Sequence, residues 1–342
     1  MKRQGEKSTE PFMWGLLLQL GCNMWSEGPL DASKPIKPEK WAFHYAADHV
    51  RVDVDLWNCV TERFAAVGGN LLLIDLGEAL LYPSHPELAV KGSWKPERMQ
   101  KEIARLRGLG LEPIPKLNFS TAHDAWLKEY GRMVSTPEYY KVCADLIRDV
   151  CEIFEKPRLF HLGWDEEAAY GQKNALMMVV RQGDLWWHDF LFTVREVEKY
   201  GVRPWVWSGR NYLDHEAFMR RMPSSVLQTN SYYWKDFEKY LVRDDDLIRS
   251  ARWPGPYVGA LGYIELDETG RFEQVACGSN WNNDENFELT VKFCHKHLKH
   301  KELFKGFLMA PWKNTFGIHK KHLLDACDQV AVGKKLWESL NA

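Results

Sequence analysis

The 342-residue sequence has no apolar run near the roughly 20 residues that a membrane-spanning helix requires. It has no surplus of either charge. Its 45 Lys and Arg stand against 47 Asp and Glu, a formal net charge of -2, which removes the electrostatic case for nucleic acid or a membrane surface as partner. No C-x-x-C pair occurs, and an odd count of seven cysteines reads as reduced thiols. No G-x-G-x-x-G or G-K-[ST] loop follows any apolar run, so the dinucleotide and P-loop readings fall away. No linker-like or low-complexity segment splits the chain, and a single domain over residues 1–342 is expected. The start, MKRQGEKSTEPF, carries basic residues with no apolar stretch behind them, so residues 1–12 read as a flexible tail without a signal peptide. A cytoplasmic protein would look this way, and so would a secreted or periplasmic one expressed without its leader.

Aromatic residues are what the sequence has in plenty. There are 16 Trp, and Trp25, Trp207, Trp234, Trp281 and Trp312 each stand where an apolar segment ends. A core indole is the ordinary explanation. At the end of a strand, however, a flat indole lines a pocket and can cover the C–H face of a sugar ring. Without a basic patch, carbohydrate is the partner this placement implies.

Short apolar runs alternate with longer amphipathic ones. The strand candidates are 14–20, 70–76, 112–119, 158–164, 203–209, 225–231, 273–279 and 304–312. Between them, stretches such as PEYYKVCADLIRDVCEIF repeat apolar residues at three- and four-residue steps, the mark of a helix with one buried face. Eight such units predict an α/β fold of the (β/α)₈ barrel type, whose chemistry sits at the C-terminal ends of the strands. A doubly wound open sheet is the alternative. Residues 232–272 resist assignment, since YVGALGYIELDETGR suits a helix or a hairpin equally.

The fourth strand candidate ends in FHLGWDEE, residues 160–167, with three adjacent acids. Acids at a helix start are common, because the helix N-terminus favours negative charge. On the barrel reading the octamer instead opens into the cleft. Side chains alternate along a strand, so His161, Gly163 and Asp165 share one face, and Asp165 can point into the barrel mouth. Glu166 then reaches the same cleft from the rim. The same logic puts Asp75 and Glu78, Asn118 with His123, Ser208 and Arg210, and Asn230, Asn280 and Asn314 at strand ends.

These stretches resemble the catalytic barrel of family 20 glycoside hydrolases, the β-N-acetylhexosaminidases, whose fourth strand carries H-x-G-G-D-E where this chain has His161-Leu162-Gly163-Trp164-Asp165-Glu166. GLLLQLGCNMW resembles the first strand. PELAVKGSWKPERMQKEIARLRGLGLEPIPKLNFSTAH resembles the run to a strand ending I-P-E…P-G-H. GFLMAPW resembles the last strand. The resemblance implies a retaining hydrolase with Glu166 as general acid and Asp165 orienting the substrate's 2-acetamido group, whose carbonyl oxygen acts as the nucleophile. It implies that His123 links the acid to a further carboxylate, with Glu78 in that place. It also implies that Trp207, Trp234 and Trp312 surround the acetamido methyl. His161, Asn230, Asn280, Trp281 and Asn314 complete the expected substrate contacts.

A general acid needs a raised pKa, and Asp165 beside it together with cover from Trp164 or Trp207 would supply one. The departures are equally specific. The family's sugar-binding arginine has no counterpart among Gln19, Gly21, Cys22 and Asn23, Lys313 and Asn314 follow Trp312 where the family has Glu, and Trp164 replaces a glycine. No cofactor and no metal is expected, because His295, His297 and His300 spread around a helix with lysines between. Two alternatives stay open. Glu78 could itself be the nucleophile of a two-carboxylate glycosidase, or the barrel could bind glycans without cleaving them. Nothing in the sequence indicates the oligomeric state.

Overall fold

The computed structural model describes residues 10–28, 45–172, 175–251 and 254–342. The tail expected over 1–12 lies outside the described residues as far as residue 9.

Eight strands pair in parallel in sequence order and close into a barrel. They are β1 (Met13–Gln19), β2 (Leu71–Asp75), β3 (Glu112–Lys116), β4 (Leu159–His161), β5 (Arg203–Trp207), β6 (Leu227–Ser231), β7 (Gln274–Gly278) and β8 (Phe304–Met309). The closing seam pairs Gly15 of β1 with Leu308 of β8. Strict alternation divides each strand between two cores. Met13, Leu17, Leu71, Leu73, Ile114, Leu159, Trp205, Leu227, Val275 and Leu308 fill the barrel. The intervening residues, among them Leu16, Leu18, Ile74, Phe160, Val206 and Phe307, pack outward under the helices. Burial on both faces is why these strands read as unbroken apolar runs.

The helical layer comprises α1 (Val54–Ala66), α2 (Pro96–Gly108), α3 (Pro137–Ile153), α4 (Gly183–Glu198), α5 (Arg210–Leu213), α6 (His215–Arg221), α7 (Asp245–Ser250), α8 (Gly255–Glu268), α9 (Asn286–His297) and α10 (Lys320–Leu340). Local chemistry starts them. The Asp53 and Thr136 side chains cap the free N–H groups of α1 and α3, and Pro96 and Pro137 occupy first turns where a missing N–H does no harm. In α10, Trp337 stacks on Phe12 and meets Phe304 and Phe307, sealing the seam between β1 and β8.

The ambiguous stretch after residue 232 holds α7 and α8. YVGALGYIELDETGR is helical down to Glu268, and not a hairpin. It packs so closely on β6 that a Cβ on Gly262 would lie 2.5 Å from Asn230 Oδ1. Strand β4 is shorter than expected, because Gly163 (φ 74°) and Trp164 (φ 66°) turn the chain out of the sheet just past His161.

Candidate active site

The last inward side chains of β1–β4 are Gln19, Asp75, Lys116 and His161, neighbours in the strand register and all buried. They form a polar floor at the C-terminal mouth. Lys116 Nζ lies 2.6 Å from Asp75 Oδ2. Burial pushes the Asp75 carboxyl up, while the Lys116 ammonium pulls the other way. The backbone N–H of Gly163 donates to His161 Nδ1 at 3.1 Å, which leaves the ring proton on Nε2. Burial and the nearby Lys116 hold His161 well below its ordinary pKa, so it is neutral.

Above this floor the exit of β4 is bent by main-chain strain. Trp164 and Glu166 (φ 51°) adopt the left-handed region that bulky residues avoid. Asn118 holds the bend. Its Nδ2 donates to Asp165 Oδ1 at 2.8 Å, and its Oδ1 accepts from Ser120 N–H at 3.1 Å and Trp164 N–H at 3.2 Å. A Cβ on Gly163 would overlap that Oδ1, so the glycine is required by close approach as well as by its positive φ.

The three adjacent acids part company here. Glu167 is buried and turned away from the mouth, bonded to the Arg181 guanidinium and to the N–H groups of Thr121 and Arg181. Asp165 and Glu166 stay at the rim, their side chains 18% and 36% exposed, and His123 sits between them. His123 Nε2 is 3.3 Å from Glu166 Oε2 and 3.6 Å from Asp165 Oδ2. Burial lowers the His123 pKa, but the two carboxylates outweigh it and raise it on balance. Trp164 does not cover Glu166. It points into the helical layer, where its Nε1–H donates to Thr193 Oγ1 at 3.1 Å.

The opposite half of the mouth is aromatic. Trp207 stands 4.8 Å from His161 and 5.7 Å from Trp312, ring centre to ring centre, with Tyr233 beside Trp312. The buried Trp207 Nε1–H finds no partner. Trp312 takes φ 50°, another strained position at this rim.

Other expected contacts lie elsewhere. Both oxygens of Glu78 accept backbone N–H groups, from Cys22 at 2.8 Å and Asn23 at 3.0 Å. The further carboxylate that feels the charge of His123 is Asp75. Asn230 faces outward, donating to Gly259 O and accepting from Tyr212 OH. Asn280 Nδ2 is tied to His322 O in α10. Trp234 packs against Tyr232 and the helix-side core, so Tyr233 takes the place expected of it in the aromatic wall. Trp281 follows β7 with its N–H on Ser279 Oγ. Asn314 is buried, bridged to Gln19 through the backbone. Lys116 and Tyr233 were not anticipated. The signal for Lys116 was a lysine two residues past Ile114 on the inward face. For Tyr233 it was a second aromatic beside the expected one. Among the described residues, no cluster of His, Cys, Asp and Glu could hold a metal ion.

No protein-family model matches the chain, and no curated protein matches it in sequence. Solved structures do. A GH20 exo-β-N-acetylglucosaminidase from Vibrio harveyi superposes with a TM-score of 0.57 at 12% identity, over 96% of this chain and 58% of that one. A β-N-acetylhexosaminidase from Bacteroides fragilis gives 0.59 at 12% identity, over 96% of this chain and 70% of that one. Dispersin B gives 0.54 at 14% identity, over 86% of this chain and 96% of that one. The chain thus spans 58% of the length of the Vibrio protein. Its fold is that of the family 20 glycoside hydrolases.

Proposed function

We propose that this protein is a retaining glycoside hydrolase that cleaves N-acetylhexosamine-containing glycans by substrate-assisted catalysis. One observation carries the reading. A carboxylate pair, Asp165 and Glu166, is held by a buried histidine at the C-terminal mouth of a barrel, facing a wall of Trp207, Tyr233 and Trp312. The solved structures that share the fold include enzymes named for cleaving N-acetylhexosamines, and this reading carries that activity over.

In the proposed reaction, Glu166 gives its proton to the glycosidic oxygen as the bond to the anomeric carbon breaks. The acetamido carbonyl oxygen attacks that carbon from the opposite face and forms an oxazolinium ring. Asp165, fixed by Asn118, accepts the acetamido N–H and stabilises the positive charge on the ring. Glu166, now a carboxylate, takes a proton from the water that opens the ring, so two inversions give net retention. The aromatic wall covers the acetamido methyl. Two points support this route over direct attack by Glu78. Its carboxylate is 1% exposed and bonded at both oxygens.

Three variants test the reading. Glu166→Gln should lose on the order of 10²–10⁴-fold in kcat with a natural leaving group. The loss should shrink with an activated aryl leaving group, which scarcely needs protonation. Asp165→Asn should be slow with both, because ring closure itself is impaired. A thiazoline mimic of the cyclised intermediate should bind the wild type far more tightly than the parent sugar, and bind Asp165→Asn poorly. A dead Glu78→Gln with sugar trapped on Glu78 in the wild type would replace this mechanism by double displacement. Normal glycan binding with no turnover by any form would make the barrel a binding protein.

A further inference from the structure

A buried polar atom left without a partner costs about 1–3 kcal/mol, and native proteins keep few of them without a use. Several gather at this mouth. Gln19, the last residue of β1, is fully buried, and neither its Oε1 nor its Nε2 has a hydrogen-bond partner. Leu17, two residues earlier, lies in the barrel interior, so alternation places the Gln19 side chain inside as well. Across the seam Asn314 forms an isolated parallel bridge with Gln19, is 1% exposed, and leaves its own Oδ1 unpaired. Round the same floor, His161 Nε2 is an unpaired buried donor.

We propose that Gln19, assisted by Asn314, is a specificity-determining subsite that binds a hydroxyl group of a neutral sugar ring. The inference rests on the reading of the mouth as a carbohydrate site, and names how one edge of that carbohydrate is recognised. A primary amide presents two donors and an acceptor side by side, and a hydroxyl both donates and accepts. Gln19 can therefore engage one hydroxyl in both directions, or two neighbouring ones, while Asn314 Oδ1 accepts from a second. The preference for a neutral ring follows from the charges nearby. The Lys116 ammonium is already paired with Asp75, and an anionic sugar would meet Asp165 and Glu166 at the rim. A site built to hydrogen-bond a hydroxyl discriminates strongly against the analogue that lacks it, because its own polar atoms are then left unpaired again.

The variant Gln19→Leu separates recognition from architecture. It keeps most of the side-chain volume and removes both unpaired atoms, so the free protein should melt at the same temperature or higher. Titration calorimetry with N-acetylglucosamine and its 3-, 4- and 6-deoxy forms gives the binding readout. The wild type should bind one deoxy form at least about tenfold more weakly than the parent, the worth of one to two neutral hydrogen bonds. In Gln19→Leu that difference should vanish, with the parent sugar weakened about tenfold. Equal affinity of the wild type for the parent and every deoxy form would overturn the inference, as would no binding at all. So would a Gln19→Leu protein that melts lower with unchanged affinities, the signature of an amide satisfied by buried water in a structural role. Turnover is measured separately. A wild type that binds with this selectivity and cleaves nothing retires the hydrolase reading and leaves the subsite intact.

Discussion

Gly163 links backbone to site more directly than any acid does. An alanine there meets two penalties: the left-handed conformation, at about 1–2 kcal/mol, and the overlap with Asn118 Oδ1. Gly163→Ala should therefore lose stability and also turnover, because the displaced Asn118 releases Asp165. Gly92→Ala is the control. Its φ of +86° brings similar strain with no atom within 4 Å of the added Cβ, so it should lose stability alone. Denaturant melts and kcat of the two variants decide the matter, and equal kcat in both would show that Asn118 does not position Asp165. Beside the site, burial pushes the Asp124 carboxyl up to about 7. The unfolded value is about 3.9, so between those limits the folded state holds the extra proton and stability falls as pH rises. From pH 5 to pH 8 the wild type should lose stability relative to Asp124→Asn. Parallel pH profiles in thermal melts would rule this out. At this scale the sequence was partly legible. DEE after an apolar strand pointed to Asp165 and Glu166, but which acid turns inward was hidden. Glu167 turns to Arg181 because of two left-handed residues, and no alternation rule anticipates those. Tyr233 and Trp234 differ by one position, and so by one face of the chain.

Among the elements, the segment between β4 and α4 depends on a buried ion pair. Arg181 binds Glu167 and the carbonyl of Phe119 and lies over the Trp164 ring at 4.3 Å. Removing one partner leaves the other charge buried, at about 3–5 kcal/mol. Arg181→Met should show a loss of that size in urea melts. Arg181→Met combined with Glu167→Met should cost less than the sum of the two single changes, because neither charge is then stranded. Additive losses would mean the two side chains act independently. The strands were legible to within a few residues because burial on both faces writes them as apolar runs. Helix α8 was not, since it is buried round most of its circumference and glycines at 259 and 262 replace the usual amphipathic stripe with close packing. Lys116 was missed for a related reason. A charge in a strand reads as the end of burial, and here a carboxylate across the register keeps it inside.

For the molecule as a whole, charges are balanced and local. The formal net charge is -2, and the buried Lys116–Asp75 pair is shielded from salt by the barrel around it. If the substrate is neutral, a tenfold change in ionic strength should leave KM within about twofold. A steep salt dependence would point instead to a charged ligand. The closed eight-stranded order also assigns the mouth's two characters to separate arcs, β1–β4 polar and β5–β8 aromatic, with the rim acids above the first. A ligand answering the polar arc, the aromatic arc and the rim is held at three points that do not lie on one line. Three such points are the geometric minimum for telling an object from its mirror image. The barrel mouth is therefore a chiral filter, in which the enantiomer of a well-bound sugar can satisfy any two of the contacts but never all three.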